Sequence, residues 1–173
     1  MKLKDIILEN SKDKKYLALV NALREKYNTT DLGVGGFGIA FDLGEGKALK
    51  VTTDSYEIDH AIKLKGHSSP FIIPILGVKR FSESLGVIYT KVADPISDQE
   101  KIQIKEIEES AEDFLSRGED EELNKFTQNI ELVKLVKGLK SAFNSVGISG
   151  DEIDWSPENI MRYKGNYVLV DIS

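Results

Sequence analysis

Over the first 27 positions the apolar residues Ile6, Ile7, Leu17, Val20 and Leu23 recur at roughly helical spacing, and the sequence predicts a helix running to about Tyr27. Thr29-Thr30-Asp31 breaks that pattern. From Leu32 to Val51 the chain is glycine-rich and β-like, with Gly44-Glu45-Gly46 as a tight turn between two short strands. Asp54 or Ser55 caps a predicted helix that runs to about Lys65 and is ended by Gly66. Phe71 to Phe81 reads as a strand, Ser82 to Gly86 as a hairpin loop, and Val87 to Val92 as the returning strand, closed by Pro95. Ile104, Ile107, Ala111, Phe114 and Leu115 then fall on one helical stripe. A further stripe of Phe126, Ile130, Val133, Val136, Leu139, Phe143 and Val146 predicts a core-packing helix ended by Gly147. After a polar loop come a strand at Asn159 to Tyr163, a turn at Lys164-Gly165-Asn166 and a last strand from Tyr167 to Val170. The pattern is a β-rich half, then a helical half that closes in a hairpin.

The 173 residues suit one compact domain, or two small lobes sharing one cleft. With no cysteine, disulfides and thiolate metal sites are excluded and a reducing cytosol is compatible. No signal-like apolar run follows Met1-Lys2-Leu3-Lys4 and nothing approaches a membrane span, so the expectation is a soluble, cytoplasmic chain without a membrane partner. The net charge of −6 is concentrated: Asp98 to Glu122 holds 11 acidic and 3 basic residues, a balance of −8, which leaves the remainder at +2. Polyphosphates are therefore not repelled by the chain as a whole. No basic stripe interleaved with aromatics is present, so nucleic acid is not an expected partner. No internal repeat is present either.

Gly33-Val34-Gly35-Gly36-Phe37-Gly38 matches G-x-G-x-x-G. A dinucleotide fold needs a helix directly after such glycines. Here Ile39 to Gly46 turns back as a hairpin instead, with two glycines that would start a helix poorly. A glycine-bearing flap lets backbone N–H groups lie close over phosphates, with Phe37 at the tip shielding the site from water. Ala48-Leu49-Lys50 puts a lysine on the return strand, 12 residues after Gly38, in an apolar setting that requires an anionic partner. Phosphates would serve, as would a carboxylate from the next helix; Glu57 is the candidate, with Asp54 and Asp59 as rivals. Near the C-terminus, Asp154-Trp155-Ser156-Pro157-Glu158-Asn159 forms D-x-x-x-x-N, and Asp171 follows 12 residues after Asn159. A strand-turn-strand between them would bring Asn159 and Asp171 together, with oxygen donors suited to magnesium. Asp154 nearby could accept a proton from an incoming hydroxyl or orient it.

Taken in order, these features resemble the protein-kinase superfamily from about Leu32 to Asp171. They are also similar to the shortened kinase-like proteins carried by bacteriophages. The resemblance implies an α+β, truncated protein-kinase-like bilobal fold, with an antiparallel β-sheet N-lobe over residues 1–92 and a reduced helical C-lobe over 93–173. It implies ATP and magnesium as cofactors. Gly33, Gly35, Gly36, Phe37 and Gly38 would cover the nucleotide, together with Ala48. Lys50 and Glu57 would fix the phosphates, Asp154 would be catalytic, and Asn159 and Asp171 would hold the metal. Tyr89-Thr90-Lys91-Val92 would link the lobes and pair with adenine through backbone groups, Tyr89 and Lys91 included. The sequence departs from the family at Glu152, where histidine is usual, at Ser156, where Ser/Thr protein kinases carry lysine, and at Asp171-Ile172-Ser173, in place of D-F-G.

The function implied is an ATP-dependent minimal Ser/Thr protein kinase, with a protein substrate or partner. Its rivals are a small-molecule phosphotransferase of the aminoglycoside-kinase type, and a pseudokinase acting as a nucleotide-binding or interaction module. The two histidines, His60 and His67, are too few for a histidine metal site and read as structural or exposed. Trp155 reads as packing under the loop.

Overall fold

The computed structural model describes residues 3–118, 121, 123–126 and 129–172. Helix α1 spans Leu3–Tyr27 and leads into strands β1 (Thr30–Val34), β2 (Gly38–Gly44) and β3 (Lys47–Thr52). Helix α2 (Ser55–Leu64) follows, then β4 (Ile75–Ser82) and β5 (Leu85–Lys91). These strands make one antiparallel sheet in the order β1-β2-β3-β5-β4. Helices α3 (Asp98–Glu106), α4 (Glu108–Arg117) and α5 (Ile130–Ser145) come next, and strands β6 (Ile160–Tyr163) and β7 (Asn166–Leu169) form a separate hairpin.

The β2–β3 turn forms because Gly44, Glu45 and Gly46 all take positive φ, which glycine adopts without steric cost. Helix α2 starts where Asp54 accepts hydrogen bonds from the backbone N–H groups of Tyr56 and Glu57. Alternation along the strands sorts their side chains onto two faces. Ile39, Phe41, Leu49, Val51, Leu85 and Val87 face α1, and Tyr16, Leu19, Val20 and Leu23 of that helix close over them. The opposite face carries Ala40, Ala48, Lys50, Ile88 and Thr90, mostly small residues that leave an open space above the sheet.

A second, larger cluster joins Ala61 and Leu64 of α2 and Ile88 of β5 to α3, α4, α5 and the terminal hairpin. The hairpin is stitched to the first half by backbone hydrogen bonds. Ile73 N donates to Leu169 O at 3.0 Å and Leu169 N to Phe71 O at 2.9 Å, while Asp94 and Arg162 exchange a reciprocal pair.

Three expectations need correction. The strand expected from Phe71 begins at Ile75, because residues 71–73 pair with β7 rather than with the sheet. The acidic stripe is two helices jointed at Ile107. Of the stripe expected in α5, Val136, Leu139 and Phe143 are buried and Phe126, Val133 and Val146 pack against the same cluster, whereas Ile130 is 58% exposed and Leu132, Leu135 and Ala142 are buried in addition. The ring of Phe71 sits where a Cβ on Gly138 would be, so the helix approaches that segment closely. Phe126 precedes α5.

Candidate functional site

A cavity of about 660 Å³ lies between the inner face of the sheet and the β6–β7 hairpin, within the size range of nucleotide and small-ligand sites. Leu32, Val34, Ile73, Ile75, Met161, Val170 and Ile172 contribute apolar walls, and Lys50, Glu57, Thr90, Lys91, Glu158, Asn159 and Asp171 contribute polar groups. The apolar walls were not singled out in the sequence. Leu32 and Val34 alternate along β1, but Ile73, Met161, Val170 and Ile172 reach the cavity through the docking of the terminal hairpin, which no local pattern reports.

Gly33, Gly35 and Gly38 line the cavity along one edge, and Gly35 N donates to Gly38 O at 2.9 Å, closing the β1–β2 turn. Gly38 is required where it stands, since a Cβ there would collide with the backbone carbonyl of Val51 on β3. Gly36 and Phe37 occupy the turn itself, outside the lining, and Phe37 is 64% exposed.

Lys50 is the centre of the polar group. Its Nζ lies 2.6 Å from Glu57 Oε1 and donates to Asp171 Oδ2 at 2.7 Å. Of the three carboxylates considered for Lys50, Glu57 is the one that faces it, while Asp54 caps α2 and Asp59 pairs with Arg80 at 2.5 Å. Burial alone would favour neutral Lys50, but the carboxylates of Glu57 and Asp171 outweigh it and hold its pKa above the ordinary lysine value. Burial pushes the Glu57 carboxyl up, against the pull of Lys50. Glu57 Oε2 is buried with no hydrogen-bond partner among the described residues. Two carboxylates thus converge on one ammonium.

Asn159 and Asp171 come together because Ile160 pairs with Leu169, and Val170 N donates to Asn159 O at 2.8 Å. Asn159 Nδ2 donates to Asp154 Oδ2 at 2.9 Å. Asp154 is exposed and lies outside the cavity lining, at one remove from it through Asn159. Trp155 beside it is fully buried, as a packing residue should be.

Tyr89 does not belong to the cavity. It is odd-numbered on β5 with Val87 and so points to the α1 face, and its backbone pairs with Leu49 and Gly77 inside the sheet. Thr90, Lys91, Val92 and Ala93 do line the cavity. His60, which reads in the sequence as structural or exposed, is buried, and Glu152, a departure from the family pattern, is its partner. His60 is 2% exposed, and its ring nitrogens meet Ile172 O at 2.7 Å and Glu152 Oε2 at 3.0 Å. No local sequence signal reports a contact across 92 or 112 positions.

Among the described residues no three His, Cys, Asp or Glu side chains converge on a metal position, and no helix is long and apolar enough to cross a membrane. The donors that do converge, the Asp171 carboxylate and the Asn159 amide, are hard oxygen ligands. They suit magnesium, which takes few protein ligands and completes its shell with water and phosphate oxygens.

No protein-family model matches the chain, and no curated protein matches it. Solved structures do. The apo form of PpkA-294 is similar at 16% identity over 83% of this chain and 56% of that one, with a TM-score of 0.49. A thermostable mutant of the aminoglycoside phosphotransferase APH(4)-Ia, in a ternary complex with ADP and hygromycin B, is similar at 20% identity over 57% of this chain and 39% of that one, with a TM-score of 0.36. The chain therefore spans little more than half of the first and well under half of the second. Its own topology defines the fold class: an antiparallel five-stranded sheet with a glycine flap at one edge and α2 inserted after β3, set over a small helical lobe with a terminal hairpin. This is an α+β arrangement, with a β-rich half set over a small helical half.

Proposed function

We propose that the chain is an ATP-dependent phosphotransferase, a minimal Ser/Thr protein kinase whose nucleotide lies under the β1–β2 flap. The observation that carries this reading is Lys50, held charged between Glu57 and Asp171 inside a cavity edged by Gly33, Gly35 and Gly38. A half-buried cation flanked by glycine backbone is a site for polyphosphate.

In this reading the flap N–H groups and Lys50 bind the phosphate oxygens, and Glu57 keeps the ammonium aimed. The adenine ring occupies the apolar space beside Ala48 and the Thr90–Ala93 segment. Asn159 and Asp171 would hold magnesium, which when bound neutralises charge on the phosphates. Asp154, held by Asn159, orients the acceptor hydroxyl and takes its proton. The acceptor O–P bond forms as the bond from the γ-phosphorus to the β,γ-bridging oxygen breaks, and ADP leaves with that electron pair.

The test is transfer of label from γ-labelled ATP, with magnesium, to a panel of proteins and aminoglycosides. Asp154→Ala should lower transfer by roughly 10²-fold or more, as removal of a positioned general base does. Nucleotide-dependent thermal stabilisation of the wild type without transfer to any acceptor would sink the enzyme reading and leave a pseudokinase. Transfer to aminoglycosides alone would replace the protein acceptor by a small molecule.

A further inference from the structure

Helix α2 turns two polar side chains inward, three residues apart on one buried face: Glu57 and His60. Glu57 reaches Asp171 through Lys50. His60 reaches the same strand end from its backbone side, since Nδ1 lies 2.7 Å from the carbonyl oxygen of Ile172, the residue after Asp171. Its Nε2 lies 3.0 Å from Glu152 Oε2, in the 3-10 turn Gly150–Glu152 that leads into Asp154.

A carbonyl oxygen only accepts, so Nδ1 carries a hydrogen. The Nε2···Oε2 contact is then closed by one further proton lying between ring and carboxylate. Glu152 is itself fixed, because its Oε1 accepts from Ser149 N at 2.9 Å. That bond first, and the contact with His60 second, hold its pKa below the ordinary carboxylate value. Lys63, one turn along α2, donates to Gly147 O and adds its charge near Glu152, while Lys50, Glu57 and Asp171 are the charged groups on the cavity side. A buried polar ring carries a desolvation cost that an apolar residue would avoid. Both of its nitrogens are committed to the two segments that bear Asp171 and Asp154.

We propose that His60 is a positioning residue of the phosphotransfer site, tying α2 to the Asp171 strand end and to the Asp154 loop so that Glu57, Asp171 and Asp154 keep one geometry. This rests on the phosphotransferase reading above. Displacing α2 would then misalign the lysine, the metal-binding carboxylate and the acceptor loop together.

The test compares Glu152→Gln, Glu152→Ala and His60→Ala in a His67→Gln background, which leaves His60 as the only histidine. The glutamine amide can donate to Nε2 of a neutral ring while Nδ1–H still serves Ile172, so Glu152→Gln preserves the tie and Glu152→Ala cuts it. Glu152→Ala and His60→Ala should lower kcat about tenfold to a hundredfold with KM for Mg-ATP within about threefold, and Glu152→Gln should restore most of the loss. If His60→Ala fails to fold, the two Glu152 variants still decide. Equal kcat in Glu152→Gln and Glu152→Ala would overturn the proposal. Ring ¹⁵N spectra of nucleotide-free protein supply a readout independent of transfer. A hydrogen on Nδ1, and an Nε2 signal that differs between Glu152→Gln and Glu152→Ala, support the tie even if the wild type transfers nothing, in which case only the phosphotransferase reading fails. An Nε2 signal indifferent to Glu152 refutes the tie whatever the activity.

Discussion

Lys50 shows how much one side chain can be asked to do. Removing it leaves Glu57 buried opposite nothing, and breaking a buried pair on one side costs more than replacing both partners. Lys50→Met should therefore lower the unfolding free energy by about 1–3 kcal/mol, less than a fully buried pair because the lysine keeps some solvent contact. Adding Glu57→Gln should recover much of that stability. Neither variant should show the rise in melting temperature with Mg-ATP that binding to the folded state produces. Thermal unfolding with and without nucleotide separates the two effects, and a nucleotide shift undiminished in Lys50→Met would remove Lys50 from the phosphates. Lys50, Glu57, Asn159 and Asp171 were legible in the sequence because each sits at a fixed offset from a turn or strand that local pattern reveals. His60 and Glu152 were not, since their contact depends on how two distant elements dock. Tyr89 was expected to serve through its backbone, but that backbone is paired with Leu49 and Gly77 inside the sheet, which local pattern does not report.

At the scale of elements, most helices and strands were legible, and their exact bounds were not. Most of the stripe read in α5 is buried or packed against the core, Ile130 being the exposed exception, while Leu132, Leu135 and Ala142 widen the buried face beyond it. The break at Ile107 likewise follows from packing, since Ile104, Ile107, Ala111 and Leu115 are all buried across the joint. The start of α3 was legible in principle as a capping box, Ser97 with Glu100. Glu100 also joins α3 to the hairpin, accepting from Arg162 Nε and from Tyr167 Oη at 3.0 Å each. The hydrogen bonds of Ser97, first its backbone N–H and then its hydroxyl, hold the Glu100 pKa down to about 2, with Arg162 and Tyr167 adding to them. A depressed carboxylate stabilises the folded state above its unfolded value of 4.5, and that contribution disappears as pH falls toward about 2. Acid unfolding followed by circular dichroism should show wild type losing stability over this window. Glu100→Gln should be less stable at neutral pH with a shallower acid slope. Parallel slopes in the two proteins would mean the carboxylate is not held this way.

At the scale of the whole molecule, the two lobes are built on one apolar body. Ala61, Leu64 and Ile88 from the sheet half lie in the same buried cluster as Leu135, Phe143, Trp155 and Ile172. A β-rich half followed by a helical half could be read from the sequence, but this continuity could not, because it is made by contacts between segments remote in the chain. Among the described residues, the outer face of the sheet has a smaller core of its own, under α1. Small domains with a continuous core unfold in one step. Phe143 is fully buried, and Phe143→Ala should cost about 3–5 kcal/mol through lost transfer energy and the cavity left behind. If the shared cluster governs folding, that loss in the helical half must also lower the stability of the sheet. Trp155, the single tryptophan, reports the helical half by fluorescence, and backbone amide signals of β2 and β3 report the sheet. Both probes should give one denaturation midpoint, shifted equally by the substitution. A sheet whose amides keep the wild-type midpoint while Trp155 unfolds early would show that the halves are separately stable. The site between them would then be assembled by its ligand rather than by the fold.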